Sequence, residues 1–161
     1  MIVYIKNKFF SWGGGSTVKD SEGKEILKVK GKVFSFTKKK NIYDMNGQKL
    51  YMVRNKFWKF IMPSVFIYEQ GQKIARLKSV LSFGKKTFTL EGYGEEMEIT
   101  GKSFFDAGLD VIRNGEKIGN ICQKMAIVND SFILEAEEKD MPFLVAVIIA
   151  IDNFKDDYAR N

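Results

Sequence analysis

The chain has 161 residues, 45% of them hydrophobic, with 26 Lys+Arg against 20 Asp+Glu. That length and balance fit one domain with a full apolar core and exclude a disordered chain or a polytopic membrane protein. Histidine is absent, which removes Ser-His-Asp and Cys-His nucleophile systems, imidazole metal sites and histidine pH switches.

Charge is unevenly placed. Residues 1–90 hold 19 Lys+Arg and 5 Asp+Glu, net +14, whereas residues 91–161 hold 7 and 15, net −8. Met1 to Trp12 interleaves Lys6 and Lys8 with apolar residues and offers no continuous h-region of a signal peptide. The lone Cys122 cannot form an intramolecular disulfide and fits a reducing compartment, so a cytoplasmic location is expected.

A glycine turn then recurs along the chain. Gly23, Gly47 and Gly71 are spaced by 24 residues, Gly94 follows 23 later and Gly115 another 21. Asn-Gly and Glu-Gly pairs flanked by apolar and β-branched residues predict two-residue hairpin turns. Counting from each glycine, Leu27, Tyr51, Ala75 and Gly119 share one face with Val29, Val53, Leu77 and Ile121, and with Val33, Phe57, Leu81 and Met125. Strand alternation sends the residues between them outward, as a basic ladder of Lys28, Lys30, Lys32, Arg54, Lys56, Arg76 and Lys78. Ile26, Leu50, Ile74 and Ile118 break the alternation three residues after each glycine, which a bulge would explain.

Short aromatic segments follow the strands, at Lys8–Trp12, Lys32–Phe36, Lys56–Phe60 and Ser79–Phe83, and read as corners that bring the chain to its next turn. The alternation resumes with Phe88, Leu90, Met97 and Ile99 inward against Thr87, Thr89, Glu91, Glu96, Glu98 and Thr100 outward. Strands therefore fill most of 2–136. Ten or more twisted antiparallel strands curl closed or split into two sheets, and closure removes exposed edges. From about 141 to 157 a helix is expected, with Asp140 able to cap it and Pro142 in its first turn. Its run Phe143–Ile151 is apolar on every face, so length rather than periodicity decides against a buried strand. Such a helix must be buried on all sides, as the inside of a barrel allows.

The order of segments Ile5–Trp12, Val18–Ile26, Gly31–Phe36, Ile42–Gly47 and Val147–Asp152 resembles the LURP-one-related family, in its bacterial type, over nearly the whole chain. The resemblance implies one tubby C-terminal-like domain over 1–161: a mainly β, closed antiparallel barrel of about twelve strands around a central hydrophobic C-terminal helix. The family has no established general biochemical activity. A barrel filled by its own helix leaves no large lumen for substrate, and the usual acid, base and nucleophile sets are missing or unpaired, so no enzyme is expected. Among related folds, tubby domains bind phosphoinositide headgroups and phospholipid scramblases have been assigned the same architecture, but no site transfers residue by residue.

Sites of reaction chemistry are weakly supported. Trp12-Gly-Gly-Gly-Ser16 lacks the Gly-Lys-Ser/Thr ending and the helix of a phosphate loop. The carboxylate groups Glu95, Glu96, Glu98 and Glu135, Glu137, Glu138, Asp140 lack calcium-loop spacing. Cys122 falls on the outward face beside Asn120 and Lys124, with no histidine as base. No catalytic residue, metal or cofactor is expected, and packing accounts for most of the aromatics. Lys38, Lys39, Lys40, Lys85 and Lys86, in turn-like positions, would reinforce the basic ladder. Its expected partner is an anionic membrane surface met peripherally. Nucleic-acid phosphate is the alternative, and a protein-interaction scaffold with no anionic ligand the third reading.

Overall fold

The repeated apolar parity builds a meander. In the computed structural model the described residues are 1–6, 15–31, 37–56, 64–82, 85–92, 94–103, 108–124 and 131–158. The strands are β1 (Ile2–Lys6), β2 (Gly15–Asp20), β3 (Glu25–Gly31), β4 (Lys40–Tyr43), β5 (Lys49–Asn55) and β6 (Val65–Glu69). They continue as β7 (Gln72–Ser82), β8 (Lys85–Glu91), β9 (Met97–Ser103), β10 (Gly108–Arg113), β11 (Glu116–Lys124) and β12 (Ser131–Ala136). Each pairs antiparallel with its sequence neighbour, and β1 with β12, so the twelve strands close into a barrel with no edge. Because neighbours in sequence are neighbours in space, position along the chain becomes position around the barrel wall.

The apolar residues that break the alternation are bulges. In the β2–β3 hairpin Val18 faces Leu27 while Lys19 faces Glu25, leaving Ile26 as the extra residue. Leu50 takes the same place between Tyr51 and Lys49, Ile74 between Ala75 and Lys73, and Ile118 between Gly119 and Lys117. All four pack, partly buried, against the core. A bulge gives the extra side chain a direction that strict alternation denies it, and adds the local twist that closure needs.

Turn lengths differ from the expected two residues in three of the five glycine hairpins, β2–β3, β4–β5 and β8–β9. Gln70-Gly71 and Asn114-Gly115 are two-residue turns with both residues at positive φ, from 49° to 86°, a conformation that places glycine second. The β2–β3 and β4–β5 connections are longer, because an aspartate organises each. Asp20 Oδ1 accepts from the Glu22 and Lys24 amides at 3.0 and 2.9 Å, and Asp44 Oδ1 from the Gln48 amide at 2.7 Å. Of the aromatic segments, the first three lie largely outside the described residues. Ser79–Ser82 is no corner but the end of β7, paired directly with β8.

The wall encloses α1 (Met141–Tyr158), entered through a 3-10 turn, Glu138–Asp140. Every residue from Phe143 to Ile151 is at most 2% exposed, so all faces of this segment are buried. The inward residues expected from the sequence, among them Val29, Val53, Leu77, Met97, Ile99 and Ile121, form one cluster with the helix. Asp140 ends the 3-10 turn and pairs with Arg113 Nη1 at 2.9 Å, so its carboxylate is held by β10.

A candidate anion-binding face

Outward positions on β3 to β7 combine bases with rings. Lys28 stands opposite Tyr43, and Arg54, Phe66 and Arg76 lie side by side across β5, β6 and β7. Diagonal neighbours on one sheet face are within reach of long side chains. Thus Lys30 Nζ lies 5.3 Å from the Tyr43 ring centre, the Arg54 guanidinium 4.9 Å from that of Tyr68, and Lys73 Nζ 5.2 Å from that of Phe66. Arg76 is 5.9 Å from the same Phe66 ring. Such contacts contribute about 0.5–1 kcal/mol each at exposed sites and keep long cationic side chains in place. Arg54 Nε also donates to Tyr68 Oη at 3.1 Å, and Arg76 donates through Nε and Nη2 to the buried Ser64 Oγ at 3.1 and 2.9 Å.

Acids are kept to one end of this face. The five carboxylates of residues 1–90, Asp20, Glu22, Glu25, Asp44 and Glu69, all lie in or beside the glycine turns. Lys28, Lys30, Arg54, Lys56, Arg76 and Lys78 lie away from those turns. Lys78 is tied to Glu91 of β8 at 2.6 Å, and that hydrogen bond, against slight desolvation, holds the Glu91 carboxyl below its usual range. Glu91 thus marks where the basic face ends.

The remaining expected ligands are distributed differently. Lys40 points inward: it is buried and its Nζ donates to Asp152 Oδ2 of α1 at 3.2 Å. The cause is parity, since Lys40 lies two residues before the inward Ile42 on β4. Lys38, at φ 45°, and Lys39 are half-buried in the turn before β4. The Lys38 carbonyl accepts from Asn153 Nδ2 at 3.0 Å, and Asn55 Nδ2 donates to the Asn153 carbonyl at 3.3 Å. A polar layer therefore fixes the C-terminal part of the helix to β4 and β5. Lys85 and Lys86 belong to β8 rather than to a turn, because β7 runs on to Ser82 and the two pair with Ser82 and Leu81. Their side chains, and all of Lys32, lie outside the described residues.

Tyr43, Phe66, Tyr68 and Lys73 belong to the face and were not singled out in the sequence. The signal was present as parity, because Tyr43 and Tyr68 each follow an inward isoleucine, Ile42 and Ile67. Among the described residues no group of three or more Cys, Asp or Glu is placed to hold a metal ion. Cys122 is half-buried, its Sγ donating to Asn120 Oδ1 at 3.1 Å. No described helix is long and apolar enough to cross a membrane.

Comparison with known proteins places the fold. The X-ray structure of a protein from Arabidopsis thaliana superposes with a TM-score of 0.63 at 13% identity, covering 94% of this chain and 90% of that one. No curated protein matches the sequence. The model of the LURP-one-related family matches residues 1–152, in agreement with the barrel and its enclosed helix, and the chain belongs to that family.

Proposed function

We propose that this chain is a non-enzymatic, single-domain binding module that works in the cytoplasm and docks peripherally, through the outer face of β3 to β7, on an anionic phospholipid surface. The observation that carries this reading is the set of cations laid over the outward rings of Tyr43, Phe66 and Tyr68. Each of these rings already has a cation over it that competes with a nucleobase for stacking, whereas the cations themselves are held where a plane of phosphates can meet them. A basic residue near an anionic membrane contributes about 1 kcal/mol, and several act together. The clearance of carboxylates from the middle of the face supports the same reading.

Co-sedimentation tests it, using wild type and a Lys28→Glu/Lys30→Glu/Arg54→Glu variant with phosphatidylserine-containing vesicles and with phosphatidylcholine vesicles. Wild type should partition onto the anionic vesicles alone, and the variant about a hundredfold less. Equal or negligible binding by both proteins at low salt would overturn the proposal. In parallel shift assays at matched salt, retention of RNA or DNA with no vesicle binding would replace the lipid with nucleic-acid phosphate.

A further inference from the structure

The three arginines among the described residues are held in two different ways. Arg113 sits between carboxylates, its Nε 3.0 Å from Glu95 Oε2 and its Nη1 2.9 Å from Asp140 Oδ1. Arg54 and Arg76 are held by neutral groups instead. Arg54 Nε donates to Tyr68 Oη with the guanidinium over that ring, and Arg76 donates through Nε and Nη2 to the buried Ser64 Oγ beside the Phe66 ring. Among the described residues no carboxylate forms an ion pair with either. Glu91 faces Arg76 across β7 and β8, but its carboxylate is taken by Lys78 at 2.6 Å.

A guanidinium paired with a carboxylate is neutralised where it stands, whereas one fixed by a hydroxyl and a ring keeps its charge for an incoming anion. In both residues Nε is spent on the anchor, which leaves terminal N–H donors to form a planar fork of the kind that grips two oxygens of one phosphate. The same anchors hold the forks back, so neither side chain extends to its full length. In a phosphodiester lipid the alcohol headgroup covers the phosphate, out of reach of a fork held in this way. In a phosphate monoester the phosphate is the outermost group and carries a second ionisation. Lys28 and Lys30 differ from the arginines, because an ammonium on a flexible stem is a point charge that responds to any anionic surface.

We propose that Arg54 and Arg76 are the specificity-determining residues of the docking face and bind the terminal phosphate monoester of a lipid in preference to the phosphodiester of a headgroup such as phosphatidylserine. This rests on the lipid-docking reading above and adds the headgroup class to it. The lysines supply the attraction to the surface, and the two arginines supply the choice.

The test is partitioning onto phosphatidylcholine vesicles that carry either phosphatidic acid or phosphatidylserine, matched in surface potential. Wild type should favour phosphatidic acid by at least about tenfold. Arg54→Lys/Arg76→Lys keeps the charge and removes the forks, so it should bind phosphatidylserine as wild type does and lose the preference. Arg54→Lys alone, an exposed change that spares Ser64, should lose at least about threefold of that margin even if the double variant fails to fold. Lys28→Glu/Lys30→Glu should weaken both bindings and keep their ratio. Equal wild-type binding at matched potential, or an undiminished preference in the arginine variants, would overturn this proposal and leave the docking reading standing. Binding to neither vesicle would overturn both. Glycerol 3-phosphate, the same headgroup without chains, should displace the protein from phosphatidic acid only at roughly a hundredfold excess over lipid phosphate. Displacement at equal concentration would overturn the lipid and assign the forks to a free phosphate ester.

Discussion

The β6–β7 and β10–β11 hairpins are built alike on the inside and unlike on the outside. Each has a two-residue turn ending in glycine, one bulge, and an isoleucine at that bulge, Ile74 or Ile118. Their inward residues, Ile67, Ala75 and Leu77 in one, Leu109, Val111 and Ile121 in the other, pack in the same core. Outward, the first presents Phe66, Tyr68, Lys73 and Arg76, and the second Asp110 with its partner Lys117, Asn120 and Cys122. Closure depends on turn, bulge and inward parity, so the outward parity is free to diverge. In a meander that freedom lets one hairpin carry cations laid over rings and another, four strands further round the barrel, carry an acid paired with a lysine.

The largest effect should come from removing what both hairpins pack against. Truncation after Glu138 deletes the helix and the burial of Phe143 to Ile151, at about 1.5–3 kcal/mol for each large side chain, which exceeds the net stability of a typical domain. The truncated chain should show no cooperative thermal transition, and a soluble, sharply melting product would refute the enclosed helix.

Next in size is the ion pair that fixes the helix to the basic side. Lys40→Met or Asp152→Leu alone should cost about 3–5 kcal/mol in chemical denaturation, because each removes one partner of a buried ion pair. The double variant should recover most of the loss; additive losses would show that the two groups act separately.

Smaller still, Gly71→Ala and Gly115→Ala should each lose about 1–2 kcal/mol, since both place alanine at positive φ with nothing crowding its Cβ. Unequal losses would break the equivalence of the two hairpins.

The smallest effect is confined to the acidic side. Hydrogen bonds from Lys117 and then Asn120 hold the Asp110 carboxyl below its usual value. With the folded value below the unfolded one, its stabilisation is present above the unfolded value and is lost as pH falls through the folded one. Asp110→Asn should therefore flatten the acid limb of the stability curve below the ordinary Asp range and leave neutral pH little changed. An unaltered acid limb would contradict the pairing.

Much of this was legible in the sequence, because inward parity is written in apolar residues. Ile26, Leu50, Ile74 and Ile118 even announced their bulges by breaking it. Lys40 was harder to read, since a charge on the inward parity makes sense only once Asp152 is known to lie inside the barrel. Asp152 is the first charged residue after the apolar helix run, and strand and helix come together only in three dimensions. The outward aromatics were passed over for a related reason. Phe and Tyr read as core by composition, and only their place beside Ile42 and Ile67 turns them outward. Turn length was hidden because Asp20 and Asp44 act through side-chain bonds that a glycine spacing does not register.

Lysine acetylation footprinting on phosphatidylserine-containing vesicles tests the central claim most directly, because it reads both sides of the barrel in one experiment. Labelling of Lys28, Lys30 and Lys56 should be several-fold slower on vesicles than in solution, with Lys117 and Lys139 unchanged. Uniform protection, or protection of Lys117 and Lys139 alone, would contradict it.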